Sequence, residues 1–86
     1  MYKILITKSA FKELENLPKA FRSNIIAKID ELAVEPRPSG VRKLESFTNS
    51  YRIRVGSYRV IYKIEDSELI IEVIKVSDRK DVYRNK

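Results

Sequence analysis

Two runs of alternating apolar and polar residues, Tyr51-Arg52-Ile53-Arg54-Val55 and Tyr58-Arg59-Val60-Ile61-Tyr62, meet at Gly56-Ser57. This junction constrains the fold more than any other part of the chain. Gly in the first position of a two-residue loop predicts a type II′ turn and hence a β-hairpin. The loop also fixes the register, pairing Val55 with Tyr58, Arg54 with Arg59, Ile53 with Val60 and Arg52 with Ile61. Because side chains alternate across a strand, Tyr51, Ile53, Val55, Tyr58, Val60 and Tyr62 share one face and Arg52, Arg54 and Arg59 the other. Like charges directly opposite one another destabilise a sheet. Three arginines gathered at one turn therefore point to an anion held on that face, against the plainer reading of a solvated sheet surface or a salt bridge to Glu72.

The chain has 86 residues, enough for a single domain spanning 1–86 with one core. Eighteen Lys plus Arg against twelve Asp plus Glu give a net charge of +6, which favours a polyanion or an acidic protein as partner. There is no Cys and no His. Thiolate nucleophiles, disulfides, imidazole acid/base catalysis and the usual zinc ligands are thereby excluded, and no cofactor or metal is expected. The start of the chain has no secretory apolar region, and nowhere do about eighteen apolar residues run together. A cytoplasmic protein with no membrane partner is the expectation.

Before the hairpin, Tyr2 to Ile6 reads as a strand leading into a helix capped by Thr7 or Ser9. Phe11, Leu14 and Leu17 recur at helical spacing up to Pro18, which suits an early position of a second helix. That helix is expected from Lys19 to about Val34, with Phe21, Ile25, Ile29, Leu32 and Ala33 as its apolar stripe. Pro36, Pro38 and Gly40 make residues 35 to 42 a loop, and Lys43-Leu44 begins an irregular approach to the hairpin. After an Asp66-Ser67 turn, a last strand from about Glu68 to Ser77 is apolar enough to suggest burial on much of both faces. The order β-α-α-β-β-β predicts an α+β fold, a helical hairpin packed on one face of a small, mainly antiparallel sheet. The arginines would then project from the opposite face.

The residues Tyr51 to Gly56, Tyr58 to Tyr62 and Val76-Ser77-Asp78-Arg79-Lys80-Asp81-Val82-Tyr83-Arg84 resemble the RelE family of type II toxin–antitoxin toxins. The resemblance spans nearly the whole chain and includes the Lys43-Leu44 step. It implies a ribosome-dependent endoribonuclease that cuts mRNA and is silenced by a cognate antitoxin, here expected to be acidic. By position it implies catalytic roles for Arg52, Arg54, Arg59, Arg79 and Tyr83, with Lys43, Lys80 and Arg84 as further RNA contacts. Where well-studied members carry a lysine in the first hairpin strand, both positions here are arginine. Asp78 stands where many relatives have His, and Ser46 where a glycine is common.

Arginines match the fork geometry of phosphate oxygens and stay charged, which suits them to hold a scissile phosphate and to stabilise its pentacoordinate transition state. Tyr83 could stack on a base or assist proton transfer. Tyr51, Tyr58 and Tyr62 fall on the core side and read as packing residues. Lys8, Lys12, Lys19, Arg22, Lys28, Arg37, Arg42 and Lys43 could form a second basic surface for ribosomal RNA, though a solvated helix face explains most of them equally well. Two other functions suit the same scaffold: a ParE-like poison of DNA gyrase, and a nucleic-acid-binding module without chemistry.

Overall fold

The computed structural model describes residues 1–45 and 47–78. The first strand, β1 (Lys3–Ile6), runs parallel to the last, β5 (Ile70–Asp78), with Lys3 opposite Ile70 and Ile6 opposite Val73. Parallel neighbours need a crossover, which begins with two helices, α1 (Lys8–Glu15) and α2 (Lys19–Leu32). Thr7 is the N-cap of α1: its Oγ1 accepts a hydrogen bond from the Ala10 N–H at 3.2 Å and donates to the Ile74 carbonyl at 3.2 Å. One hydroxyl thus starts the helix and ties it to β5. Thr7→Ala is expected to cost about 1 kcal/mol, read as a lower urea midpoint with an unchanged slope.

Pro18 precedes the second helix as its N-cap (φ −55°, ψ 144°), so helical geometry begins at Lys19. It ends at Leu32, two residues short of the expected Val34. Ala10, Leu14, Ile25, Ile29, Leu32 and Ala33 are buried. Phe11 and Phe21, expected within the apolar stripes, remain 53% and 48% exposed. Phe21 packs its ring, tilted, against Tyr58 with 5.4 Å between centroids.

The remaining strands are β2 (Arg42–Lys43), β3 (Ser50–Val55) and β4 (Tyr58–Glu65), and the sheet order is β1-β5-β4-β3-β2. All pairings except β1–β5 are antiparallel. α1 packs on β5 and α2 on β3, so the helices cover one sheet face, the α+β architecture expected. Two readings need correction. Arg42 closes no loop: with Lys43 it forms an edge strand on β3, a pairing too short to leave any alternation in the sequence. β5 is not buried on both faces either. Ile71, Val73 and Val76 lie in the core, whereas Ile70, Glu72 and Ile74 are half-buried on the open side. A register shift opposite Ile61 and Tyr62 passes over Ile74 and re-aims the last part of the strand.

Tyr62 is the largest fully buried side chain. It stacks on Tyr51 with centroids 6.0 Å apart and donates its hydroxyl to the Pro36 carbonyl at 2.7 Å. Burial pushes its phenol well above the ordinary value. Nearby, Arg37 lies over the Tyr51 ring, donates to the Tyr51 hydroxyl and forks onto Asp66, which also accepts from the Tyr2 hydroxyl at 2.6 Å. The hydrogen bonds from Arg37, and then from Tyr2, hold the Asp66 carboxyl below its usual range. This cluster fastens the loop after α2 to the β4–β5 turn and to Tyr2, just before β1. No helix among the described residues is long and apolar enough to cross a membrane.

Candidate functional site: an arginine-lined sheet face

The site is set by the hairpin turn. Gly56 has φ +61°, while Ser57 stays outside the left-handed region, as a type II′ turn requires. The pairs Val55–Tyr58, Arg54–Arg59, Ile53–Val60 and Arg52–Ile61 all form in the expected register. Tyr51, Ile53, Tyr58, Val60 and Tyr62 are buried under the helices. Arg52 and Arg59 lie half-buried on the other face and Arg54 is exposed there.

On its far edge β3 is joined by β2, which sets Arg42 directly opposite Arg52 and Lys43 opposite Tyr51. Arg42 therefore joins the hairpin arginines instead of a separate basic surface, a placement invisible until the two-residue strand is known. Gly40, Arg42, Arg52 and Arg54 line a cavity of about 300 Å³. Gly40 enters it with φ +89°, a conformation side chains rarely adopt. Beside this cavity, the open face also carries a shallow groove of about 530 Å³. Leu44, Phe47, Ile61 and Ile74 make it apolar, with Lys63 and Lys75 among its lining residues.

Among the described residues the ion pairs are Lys28–Glu31, Arg37–Asp66 and Lys75–Glu13, and none involves Arg42, Arg52, Arg54 or Arg59. Glu72, the alternative partner considered for the arginines, sits in register with Leu5 and Lys63. Burial, followed by the charges of Arg59, Arg42 and Arg54, lowers the Arg52 guanidinium from its ordinary value. The Arg59 Nε is buried without a hydrogen-bond partner. A buried donor left unpaired costs stability, and here it lies in a cluster that repels itself. Such a face can attract an anion.

Of the other basic residues, Arg22 donates to the Leu17 carbonyl, Lys28 pairs with Glu31 and Arg37 with Asp66. These three are engaged locally. Arg79, Lys80, Tyr83 and Arg84 lie outside the described residues.

Residues 4–83 match a family model described as the ParE toxin of the type II toxin-antitoxin system parDE. The chain is 31% identical over 78 residues to the mRNA interferase toxin RelE of Escherichia coli strain K12, covering 86% of this chain and 81% of the relative. Its fold superposes on the archaeal RelE–RelB complex from Pyrococcus horikoshii with a TM-score of 0.81 and 36% identity, over 91% of this chain and 94% of that one. The intact Escherichia coli RelBE toxin–antitoxin complex matches with a TM-score of 0.80 and 28% identity, over 91% and 96% of the two chains. Within the type II toxins that the family model describes, the chain belongs to the RelE family.

Proposed function

We propose that this toxin is a ribosome-dependent mRNA endoribonuclease that works without a metal and is silenced by a cognate acidic antitoxin. The observation that carries the reading is the convergence of Arg52, Arg54 and Arg59, uncompensated by carboxylates among the described residues, on the sheet face away from the helices. RNA cleavage at such a face begins when the 2′-hydroxyl gives up its proton and attacks the adjacent phosphorus. The bond to the 5′-oxygen then breaks, and that oxygen takes up a proton, leaving a cyclic phosphate on one fragment and a 5′-hydroxyl on the other. Arg52 and Arg54 hold the scissile phosphate, and Arg59 faces the charge that grows on the pentacoordinate phosphorus. On the strength of the family resemblance, Arg79 joins Arg59 in that role, and Tyr83 stacks on a base or moves a proton.

Guanidinium groups do not serve as proton acceptors at neutral pH, and the chain has no imidazole. The arginines thus supply charge but no base near neutral pH, and a phenol such as that of Tyr83 is a weak one, which is the reason for expecting the ribosome to lend acid/base help or substrate distortion. The +6 charge favours rapid capture of an acidic antitoxin segment that folds on this chain.

The test is cleavage of one message by purified protein, free and in programmed ribosomes, with cut sites mapped by primer extension. Cleavage is expected only on the ribosome. Efficient cutting of naked RNA would overturn the ribosome dependence, and loss of DNA supercoiling activity with intact message would return the ParE-like reading.

A further inference from the structure

Arg42 has no role in the mechanism above, yet the fold places it among the residues that do. It faces Arg52 across the β2–β3 pair and lines the same cavity as Gly40, Arg52 and Arg54, a cavity whose lining does not include Arg59. Arg59 stands on β4 and Arg42 on β2, with β3 between them. At about 4.8 Å between strands and about 3.4 Å per residue along them, the two Cα positions lie on the order of 12 Å apart. Long side chains can bridge that gap, so the number of charges, more than the separation, decides how many phosphates the face takes. A phosphodiester carries a single negative charge, whereas this face presents four guanidinium groups with no ion-paired carboxylate among the described residues. One scissile phosphate leaves most of that charge unanswered.

We infer that Arg42, beside Gly40 at one end of this cavity, forms with Arg52 a second phosphate subsite that grips the RNA backbone at a linkage flanking the scissile one, Arg52 being shared between the two and Arg54 staying with the scissile phosphate. The inference rests on the endoribonuclease reading and adds a binding register to it. Arg52 sits between the two subsites, opposite Arg42 on one side and Ile61 on the other. The left-handed turn at Gly40 brings the backbone to the cavity wall just before Arg42 enters the edge strand. Since contact is to phosphate and not to base edges, the subsite positions the strand and reads no sequence.

The experiment is fluorescence anisotropy with 2′-O-methyl RNA heptamers, which cannot be cut, as U, A and C homopolymers over a series of KCl concentrations. Wild type, Arg42→Ala and Arg42→Lys are compared. Loss of one phosphate contact to a single strand reduces the slope of log affinity against log salt by about 0.7. Arg42→Ala is expected to show that reduction, with the same fold-loss of affinity for all three RNAs, while Arg42→Lys keeps the wild-type slope. An unchanged slope in Arg42→Ala, or a loss confined to one base, overturns the subsite while leaving the endoribonuclease reading intact. Absence of binding by wild type to any of the RNAs overturns the RNA-gripping face and the subsite together.

Discussion

Arg59→Ala is expected to lower ribosome-bound mRNA cleavage by about 10²–10³-fold, the effect of removing one preorganised donor from a developing oxyanion, and to abolish growth arrest. The fold should survive. Arg59 stands directly across from Arg54 and contributes to the field that destabilises the charged form of Arg52. Its Nε is buried with no partner. Alanine at this position removes a repulsion and an unpaired donor, so the melting temperature should hold or rise. Circular dichroism melts run beside cleavage assays check both halves. A melting temperature that falls together with activity would make Arg59 a structural residue and remove it from the chemistry.

The largest expected effect on stability lies beneath the same strand. Tyr62→Ala empties a fully buried aromatic site and should cost about 3–5 kcal/mol, a large part of the roughly 5–15 kcal/mol that holds a domain together. Tyr62→Phe keeps the ring stacked on Tyr51 and removes only the donor to the Pro36 carbonyl. Leaving that carbonyl unpaired should cost about 1–3 kcal/mol, at about 4–8 °C of melting temperature per kcal/mol for a chain of this size. Thermal denaturation of the two variants separates packing from hydrogen bonding. A phenylalanine variant as stable as wild type would show that the Pro36 carbonyl finds another donor. Both substitutions lie on the face away from the arginines, so cleavage at a temperature where the variants stay folded should be retained.

The arginine hairpin was legible in the sequence residue by residue because its register is local. A two-residue loop with Gly first leaves one pairing, and period-two alternation then assigns each side chain to a face. The helical hairpin was legible for a similar reason, through Ile25, Ile29 and Leu32 at helical spacing. Arg42 was not, since a two-residue strand has no period and no tight-turn signal like Gly56-Ser57 fixes its pairing with the free edge of β3. The exposure of Phe11 and Phe21 was hidden too: helical spacing says which residues share a face, and only the packed sheet decides how wide a strip of that face it covers. β5 misled in the same way. Its run of apolar residues gives no sign that one side lies open beside the arginines.

The strand order carries a kinetic consequence. β5 lies between β1 and β4, so the earliest strand to leave the ribosome has no partner until the last described strand has been made. Its pairing closes a loop from Lys3 to Ile70, most of the chain, the kind of contact that slows folding. The arginine hairpin can form early from local contacts, but its edge on β4 stays open until β5 arrives. A nascent chain therefore displays basic charge before it owns a completed sheet, and an interval separates synthesis of the hairpin from completion of the arginine-lined face. During that interval the unpaired edges of β1 and β4 are open to other strands.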